Sequence, residues 1–431
     1  MRILVIGGGG REHAIIKKLK ENPEVTEIVA LPGNAGIAED ATCVDIKATD
    51  IEGIVEYAKA HPVDFAVVAP DDPLALGCVD RLHALGIPCF GPDAKAARIE
   101  ASKVFAKDLM KKYHIPTAAY EVFDDPKAAL EYVKTAPFPM VVKADGLALG
   151  KGVVICFNRQ DAESAVVAAM VESVFGKSGR RIVIEEYLEG PEVSVLAFTD
   201  GHVVKPMVSS MDHKRAGDGD TGLNTGGMGT IAPNPCYTPE VAKRCMDEIF
   251  LPTVRAMNAE GCPFKGCLYF GLMVTKDGPK VIEYNCRFGD PETQVVLPLL
   301  KSDLLTVMQA VENETLADTP VEFADGAACC VMLASGGYPG KYEKGKPIDL
   351  GSAPEMAQIF HSGTARNGQG QLVTAGGRVL GVCCTADTLR EAIDRAYAAA
   401  GEIHWDGMMM RHDIGAKALE IMGNGQWEMG N

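Results

Sequence analysis

Val281-Ile282-Glu283-Tyr284-Asn285-Cys286-Arg287-Phe288-Gly289-Asp290-Pro291-Glu292 is the stretch whose reading decides the fold. Its first residues have strand character, so successive side chains face opposite ways. One face carries Ile282, Tyr284 and Cys286, which suit a core. The other carries Glu283, Asn285 and Arg287, which gain nothing from burial together unless something polar meets them. A carboxylate and an amide oxygen two residues apart are hard donors suited to Mg²⁺, and the arginine beside them can fork onto an anion. That combination points to nucleotide phosphates. Further along, Asp290 before Pro291 has two readings: a helix N-cap with proline at the first position, or a substrate contact.

Bulk properties narrow the possibilities around this strand. A chain of 431 residues has room for several domains and ample core. Its 47% hydrophobic and 23% charged content is that of a folded globular protein. The net charge of −16 offers no broad cationic field, which argues against nucleic acid or a membrane as the main partner. A small anion needs only a local cluster of Lys, Arg and backbone N–H groups. No window approaches ~18 uninterrupted apolar residues, so no transmembrane helix is expected. The start, Met1-Arg2-Ile3-Leu4-Val5-Ile6, runs straight into glycines and is too short for a signal-peptide core. Cysteines such as Cys89, Cys156, Cys329, Cys330, Cys383 and Cys384 lie inside apolar runs without zinc spacing. They read as reduced core thiols of a cytoplasmic protein.

Short apolar runs at 3–6, 28–31, 43–46 and 65–69 alternate with helical patterns at 11–20, 51–60 and 74–85. That order implies a parallel, doubly wound sheet with ligands at the carboxyl ends of its strands. A helix is expected over 102–113, then a strand at 140–144, a glycine-rich turn at 145–152, a strand at 153–157, a helix at 162–175 and a strand at 182–187. Beyond 193 come a polar glycine-rich loop at 212–229, a helix at 239–259 and a hairpin at 267–286 turning at Asp277-Gly278. The tail from about 325 has strands at 327–334 and 377–385 and a helix at 389–401.

Several motifs invite a function and also have a plain alternative. Gly7-Gly8-Gly9-Gly10 follows a first strand, but Glu12 and His13 fall where a dinucleotide fingerprint needs its third glycine. No acidic residue follows Leu31-Pro32-Gly33, so NAD is not expected. The helix N-terminus can still receive another ligand's phosphate, or the glycines simply make a tight turn. Asp145-Gly146-Leu147-Ala148-Leu149-Gly150-Lys151-Gly152 fails as a P-loop: no Ser or Thr follows Lys151, and a strand follows where a helix should. A glycine hairpin here suits a cover over a triphosphate, with Lys143 upstream for charge; an exposed hairpin is the plain reading. Glu185-Glu186-Tyr187-Leu188 ends a strand in a polar bend that can present backbone to an adenine edge while Glu192 accepts from a ribose. Solvated acids at a strand end look the same. The 212–229 loop does not match a calcium loop, yet its glycines suggest a backbone lying close to a ligand. His13 and His213 lack metal-site partners and read as hydrogen-bonding residues.

Taken together, these pieces resemble the ATP-grasp superfamily and, within it, the phosphoribosylamine–glycine ligase family. The marks are Gly8-Gly9-Gly10-Arg11-Glu12-His13-Ala14, Lys143-Ala144-Asp145-Gly146-Leu147-Ala148, Asp212-His213-Lys214-Arg215, Asn224-Thr225-Gly226-Gly227-Met228-Gly229 and 285–292. Phe360-His361-Ser362-Gly363-Thr364, Gly376-Gly377-Arg378-Val379-Leu380 and Arg411-His412-Asp413-Ile414-Gly415 extend the likeness to the tail. Where the family usually has Gly-Pro-Glu-x-Pro-Leu, this chain has Ala69-Pro70-Asp71-Asp72-Pro73-Leu74.

The resemblance implies an α/β chain, α+β in places, with an ATP-grasp fold. It implies a doubly wound, Rossmann-like domain over 1–100, an ATP-grasp domain over 101–320 with a lid at about 117–188, and a small α+β domain over 325–431. It implies ATP-dependent joining of glycine to 5-phosphoribosylamine through glycyl phosphate, with Mg²⁺ or Mn²⁺ on Glu283 and Asn285. Arg287, Lys214 and Asp212 would act at the reacting groups. Lys103, Lys143, Gly146, Gly150, Lys151, Gly152, Glu185, Glu186, Tyr187, Leu188 and Glu192 would hold the nucleotide. Gly8, Gly9, Gly10, Asp72, Thr225, Gly226, Gly227, Met228, Arg287 and Asp290 would contact the other substrates. The expected partners are these small molecules, with no nucleic acid or membrane, on a monomer or weak homodimer. The rivals are another ATP-grasp ligase, such as a carboxylase acting on aminoimidazole ribonucleotide or a biotin carboxylase, a dinucleotide-dependent oxidoreductase, and a nucleotide-binding regulator with no catalysis.

Overall fold

The computed structural model of the chain describes residues 1–147 and 152–423. Its first sheet is wholly parallel, in the order Thr42–Cys43, Glu27–Pro32, Arg2–Gly7, Phe65–Val68, Cys89–Phe90. Val5 and Ile6 are fully buried, as expected of a central strand covered by helices on both faces. The strand order reverses beside Arg2–Gly7, and glycines 8–10 lie at its carboxyl end.

Beside two small two-stranded sheets, three larger antiparallel ones follow. One is ordered Tyr120–Phe123, Ile182–Glu186, Met140–Ala144, Val153–Cys156, around a small core of its own that includes Val142, Ile184 and Val166. The second is ordered Val204–Pro206, Glu192–Thr199, Gly266–Thr275, Gly278–Asn285. The third joins Met211–Asp212 and Gly229–Ala232 to Ala327–Ser335, Arg378–Ala386 and Gln358–His361. The two ends of the expected 212–229 loop therefore run into the sheet of the tail, while Arg215–Gly217 and Thr221–Asn224 inside it pair with each other.

One hydrophobic cluster ties the parallel sheet to the second and third sheets, running from Val5 and Phe90 through Phe198 and Phe288 to Met332 and Phe360. Phe288 stands between Phe90 and Phe198, at ring separations of 6.0 and 5.9 Å. The decisive strand is thereby anchored into packing that reaches both ends of the chain.

Several expectations need correction. The strand at 43–46 shrinks to Thr42–Cys43. The helix at 74–85 is two, Asp71–Ala75 and Cys78–His83, because Gly77 turns left-handed at φ +82° between them. The helix at 162–175 starts at Arg159, loosens into a π-turn at Val167–Val171 and stops there. A helix over Ala94–Ala101 was not foreseen. The helix expected from Asp290-Pro291 is Thr293–Val296, so Asp290 does not cap it. All thirteen cysteines are free, and among the described residues no helix is long and apolar enough to cross a membrane.

Phe270 is fully buried and its ring packs 4.2 Å from Phe250 and 5.6 Å from Tyr284. Phe270→Ala should destabilise the chain by about 3–5 kcal/mol in denaturant unfolding.

Candidate active site

The strand Gly278–Asn285 does not alternate cleanly. Gly271 pairs with Glu283 and Leu272 with Val281, so Ile282 is an extra residue bulged out of the ladder. Val281, Tyr284 and Cys286 are the core residues, and Ile282, expected in the core, is only half-buried. The bulge has a second effect: the Ile282 carbonyl accepts a 3.1 Å hydrogen bond from Lys143 Nζ. Past the bulge Glu283, Asn285 and Arg287 share a face, as expected.

Four cations from different parts of the chain surround Glu283. Burial alone would raise its pKa, but Lys214, Lys143, Lys103 and Arg287 outweigh burial and hold it below the usual glutamate range. The Lys214 ammonium stands 3.6 Å from Glu283 and 3.8 Å from Glu192, too far for a tight pair with either. Burial likewise works against the Lys214 charge, and Glu283, Glu192, Tyr269 and Asp212 more than restore it. Lys103 opens the helix Lys103–Lys112 and donates to the Gly146 carbonyl at 3.1 Å. Lys143 pairs with Glu185 at 3.0 Å.

Arg287 is held by Glu100 at 2.9 Å. Its charge is opposed by burial and sustained by Glu100, then by Asp71. Its Nε is buried with no partner, leaving a donor for something not of the protein. Asn285 Nδ2 donates to Glu100 at 2.9 Å, so the amide oxygen is its remaining polar atom. Among the described residues no group of three or more His, Cys, Asp or Glu side chains is arranged to hold a metal by itself. The donor set on the strand is one carboxylate and one amide oxygen, both hard, and it fits a cation that takes its other oxygens from phosphate and water.

Beside this face lies the glycine loop. Gly227 sits at φ +117°, and a methyl there would lie 2.5 Å from Pro291 Cδ and 2.6 Å from Asp212 Oδ1, so only glycine fits. Thr225 folds the loop: its hydroxyl donates to Lys214 O and accepts from Gly227 N, both at 2.9 Å. Arg378 closes it from the tail, donating to Gly226 O at 2.9 Å and Asp290 O at 2.7 Å. Asp212 Oδ1 is buried without a partner, and burial and then Glu292 push its carboxyl well above the aspartate range. Met228 is fully buried, so its contribution is backbone only.

These arrangements were compared with known proteins. Models of phosphoribosylglycinamide synthetase match the chain in three parts: the N domain over residues 1–100, the ATP-grasp (A) domain over 101–293 and the C domain over 328–417. A phosphoribosylamine–glycine ligase of Rhizobium meliloti is 48% identical over 420 residues, covering 97% of this chain and 99% of that protein. The chain belongs to the phosphoribosylamine–glycine ligase family. One from Vibrio vulnificus (strain YJ016) is 47% identical over 424 residues, with 97% and 99% coverage. The crystal structure of the family's Thermotoga maritima member superposes with a TM-score of 0.84 at 38% identity, covering 96% of this chain and all of that one. A Campylobacter jejuni biotin carboxylase complex gives 0.74 at 16% identity, covering 98% and 95%, a likeness of fold alone. Membership makes the chain an ATP-using ligase.

For a phosphoribosylamine–glycine ligase, several of the expected site residues are also engaged with the protein itself. The N-terminus at glycines 8–10 is already partly filled, because Glu12 accepts from Gly9 N at 2.6 Å and Asp290 from Arg11 N at 3.3 Å. Asp290 is thus a bridge between the parallel sheet and the tail, meeting Gln294 at 2.7 Å and Arg378 at 3.4 Å. Of the two aspartates in the first turn of Asp71–Ala75, Asp71 is the one that supports the Arg287 charge, after Glu100, whereas Asp72 is a half-buried neighbour whose pKa is raised by burial and by Asp71. Glu185 turns its side chain inward to Lys107 and Lys143, and its backbone pairs with Tyr120 and Val141 on either side.

The other nucleotide-end residues spread out around that strand. Glu186 N–H is taken by Ala119 O at 2.9 Å, leaving Tyr187 and Leu188 as the irregular backbone after the strand. Glu192 is exposed at the start of the next strand. Gly146 is tied to Ser178 through its backbone, and Gly152 O accepts from Ala144 N at 2.8 Å. Gly150 and Lys151 lie outside the described residues.

Sequence reasoning missed Glu100, Lys107 and Arg378 as site residues. Arg378 was at hand in the Gly376-Gly377-Arg378 motif. Glu100 and Lys107 look like ordinary helix residues, and only the fold buries them. Lys107 pairs with Glu185 at 3.2 Å, and burial lowers its pKa to about 8.

Both histidines are hydrogen-bonding residues, as expected. His13 Nδ1 accepts from His361 N, and its Nε2 faces Asp40. His213 accepts from Gly415 N on Nε2 at 3.1 Å and faces Gly229 O with Nδ1 at 3.1 Å. Burial drops the His213 pKa from 6.5 to about 4. Between those values the unfolded chain binds a proton that the folded chain does not, so stability is lost as pH falls from 6.5 towards 4. His213→Gln should remove one proton from that dependence, flattening the slope by about 1.4 kcal/mol per pH unit in denaturant titrations across this window.

Proposed function

We propose that this chain catalyses ATP + glycine + 5-phosphoribosylamine → ADP + phosphate + glycinamide ribonucleotide, a step of purine biosynthesis. The observation that carries the reading is the set of four cations converging on Glu283, next to Asn285, a buried unpaired Arg287 Nε and a glycine loop. Such a site neutralises a polyphosphate and an attacking carboxylate at once.

The glycine carboxylate attacks the γ-phosphorus, expelling ADP and giving glycyl phosphate. The amine of phosphoribosylamine then attacks the acyl carbon, loses a proton and expels phosphate. The first step brings two anions together, so the catalytic task is positional and electrostatic. Lys103, bonded to Gly146 O, and Lys143, bonded to Ile282 O, neutralise phosphate charge, and exclusion of water protects the acyl phosphate. Arg287 meets the carboxylate and then the charge that develops beside it. Asp212, Lys214 and residues 225–228 shape the glycine and amine subsites. Glycines 8–10, the Asp71-Asp72 turn and Asp290 lie at the ribosylamine end. Glu185, Glu186, Tyr187, Leu188 and Glu192 flank the adenosine. Mg²⁺, or Mn²⁺ in its place, would be held by Glu283 and Asn285 and would supply charge neutralisation at the phosphate oxygens.

The division used by this chemistry is 1–100, 101–320 and 325–431, with 117–188 as a lid. Soluble small molecules are its only partners, and a cytoplasmic monomer or weak homodimer suffices.

The test is ADP release with glycine and phosphoribosylamine each omitted in turn, beside bicarbonate and NADH controls. Turnover requiring both substrates supports the reading, and bicarbonate-dependent turnover overturns it. Arg287→Ala should lower glycine-dependent ADP release roughly 100- to 1,000-fold with ADP affinity little changed. Near-normal turnover would remove Arg287 from the reaction.

A further inference from the structure

We propose that Glu100 is the positioning residue that orients the Asn285 amide, turning its oxygen towards the bound cation while restraining Arg287. The inference rests on the reading of Glu283 and Asn285 as the cation's protein ligands. Glu100 is 7% exposed and lies in the last turn of Ala94–Ala101, far from the strand in sequence. Its carboxylate receives three donors from consecutive residues, Asn285 at that strand's end and the two that follow it. Oε1 accepts from Asn285 Nδ2 and Arg287 Nη2, each at 2.9 Å, and Oε2 accepts from Cys286 N at 2.7 Å.

An ionised carboxylate only accepts, so this environment tolerates one orientation of the amide. With Nδ2 on Glu100, Oδ1 points away. Reversed, Oδ1 would oppose a carboxylate oxygen at hydrogen-bond distance and leave Nδ2, a donor, facing the cation. The contact to Cys286 N fixes the backbone between the two side chains, so amide and guanidinium are registered to each other.

The position of Glu100 in the chain adds a second connection. The helix Ala94–Ala101 stops at Ser102, whose hydroxyl caps the next helix by accepting from Phe105 N at 3.1 Å and also donates to Asp145 at 3.0 Å. Lys103, one residue later, reaches Gly146 O. Glu100 and Lys103 thus leave one kink, the first bonded to the cation strand and the second to the glycine turn. An outer-shell carboxylate that orients a ligand in this way changes metal affinity without touching metal or nucleotide.

The experiment uses Glu100→Gln and Glu100→Asp in the full chain. Calorimetry would measure ADP affinity with and without Mg²⁺, alongside the Mg²⁺ concentration giving half-maximal turnover. A glutamine can donate as well as accept, so both amide orientations of Asn285 become available. The expected result is near-parental ADP affinity without Mg²⁺, and an enhancement of that affinity by Mg²⁺ reduced about 10-fold or more in Glu100→Gln. Glu100→Asp keeps an acceptor-only group and should lose less. A generally weakened fold would lower both affinities together, and that result, like an unchanged Mg²⁺ enhancement in a folded variant, overturns the proposal. Glu283→Gln and Asn285→Ala separate the two levels. If neither alters Mg²⁺ dependence, the ligand reading fails; if both do and the Glu100 variants do not, only the role of Glu100 fails.

Discussion

The rest of the structure depends on keeping Lys103, Lys143, Lys214 and Arg287 around one partly buried carboxylate, Glu283. Each cation comes from a different part of the chain. Lys103 begins a helix, Lys143 lies on a strand of the small antiparallel sheet, Lys214 follows a two-residue strand of the third sheet, and Arg287 follows the cation strand itself. Clustered positive charges repel one another in a partly desolvated cleft, so the arrangement persists through its acidic partners. Glu283, Glu185 and Glu100 each answer more than one cation or donor.

The fold holds these groups in place by stitching at backbone level. The bulge at Ile282 frees a carbonyl for Lys143, and Thr117 on the approach to the small sheet donates to Val281 O at 2.7 Å. Asp145 anchors the glycine turn, accepting from Val104 N at 2.8 Å and from Arg181 Nε at 2.8 Å. The tail contributes Arg378 to the glycine loop and Gly415 N–H to His213, between Asp212 and Lys214. The buried Arg411 extends the same support, pairing with Asp413 at 2.7 Å and Asp220 at 2.9 Å. Removing the tail would therefore loosen the site as well as expose apolar surface.

Much of this was legible in the sequence, for local reasons. Alternating apolar runs and helical patterns gave the parallel sheet, and the period of two put Glu283, Asn285 and Arg287 on one face. The missing third glycine, replaced by Glu12, counted against a dinucleotide site, and Glu12 is found turned back onto Gly9. What stayed hidden was non-local. The bulge arises from pairing with Gly271 and Leu272, and it moves Ile282 off the core. Glu100 reaches Asn285 across 185 positions, a distance no periodicity spans. Asp290 looked like a cap because proline follows it, whereas Arg378, Gln294 and Arg11 compete for its carboxylate. The strand Gly229–Ala232 found its partner in Ala327–Ser335, which a loop-like composition could not announce.

The central claim, that the cationic face activates a carboxylate through an acyl phosphate, is tested most directly by oxygen transfer. Glycine labelled with ¹⁸O in its carboxylate would be turned over with ATP and phosphoribosylamine, and the released phosphate examined by mass spectrometry. The account predicts that one carboxylate oxygen of each glycine appears in inorganic phosphate. Phosphate free of label during full turnover would contradict it.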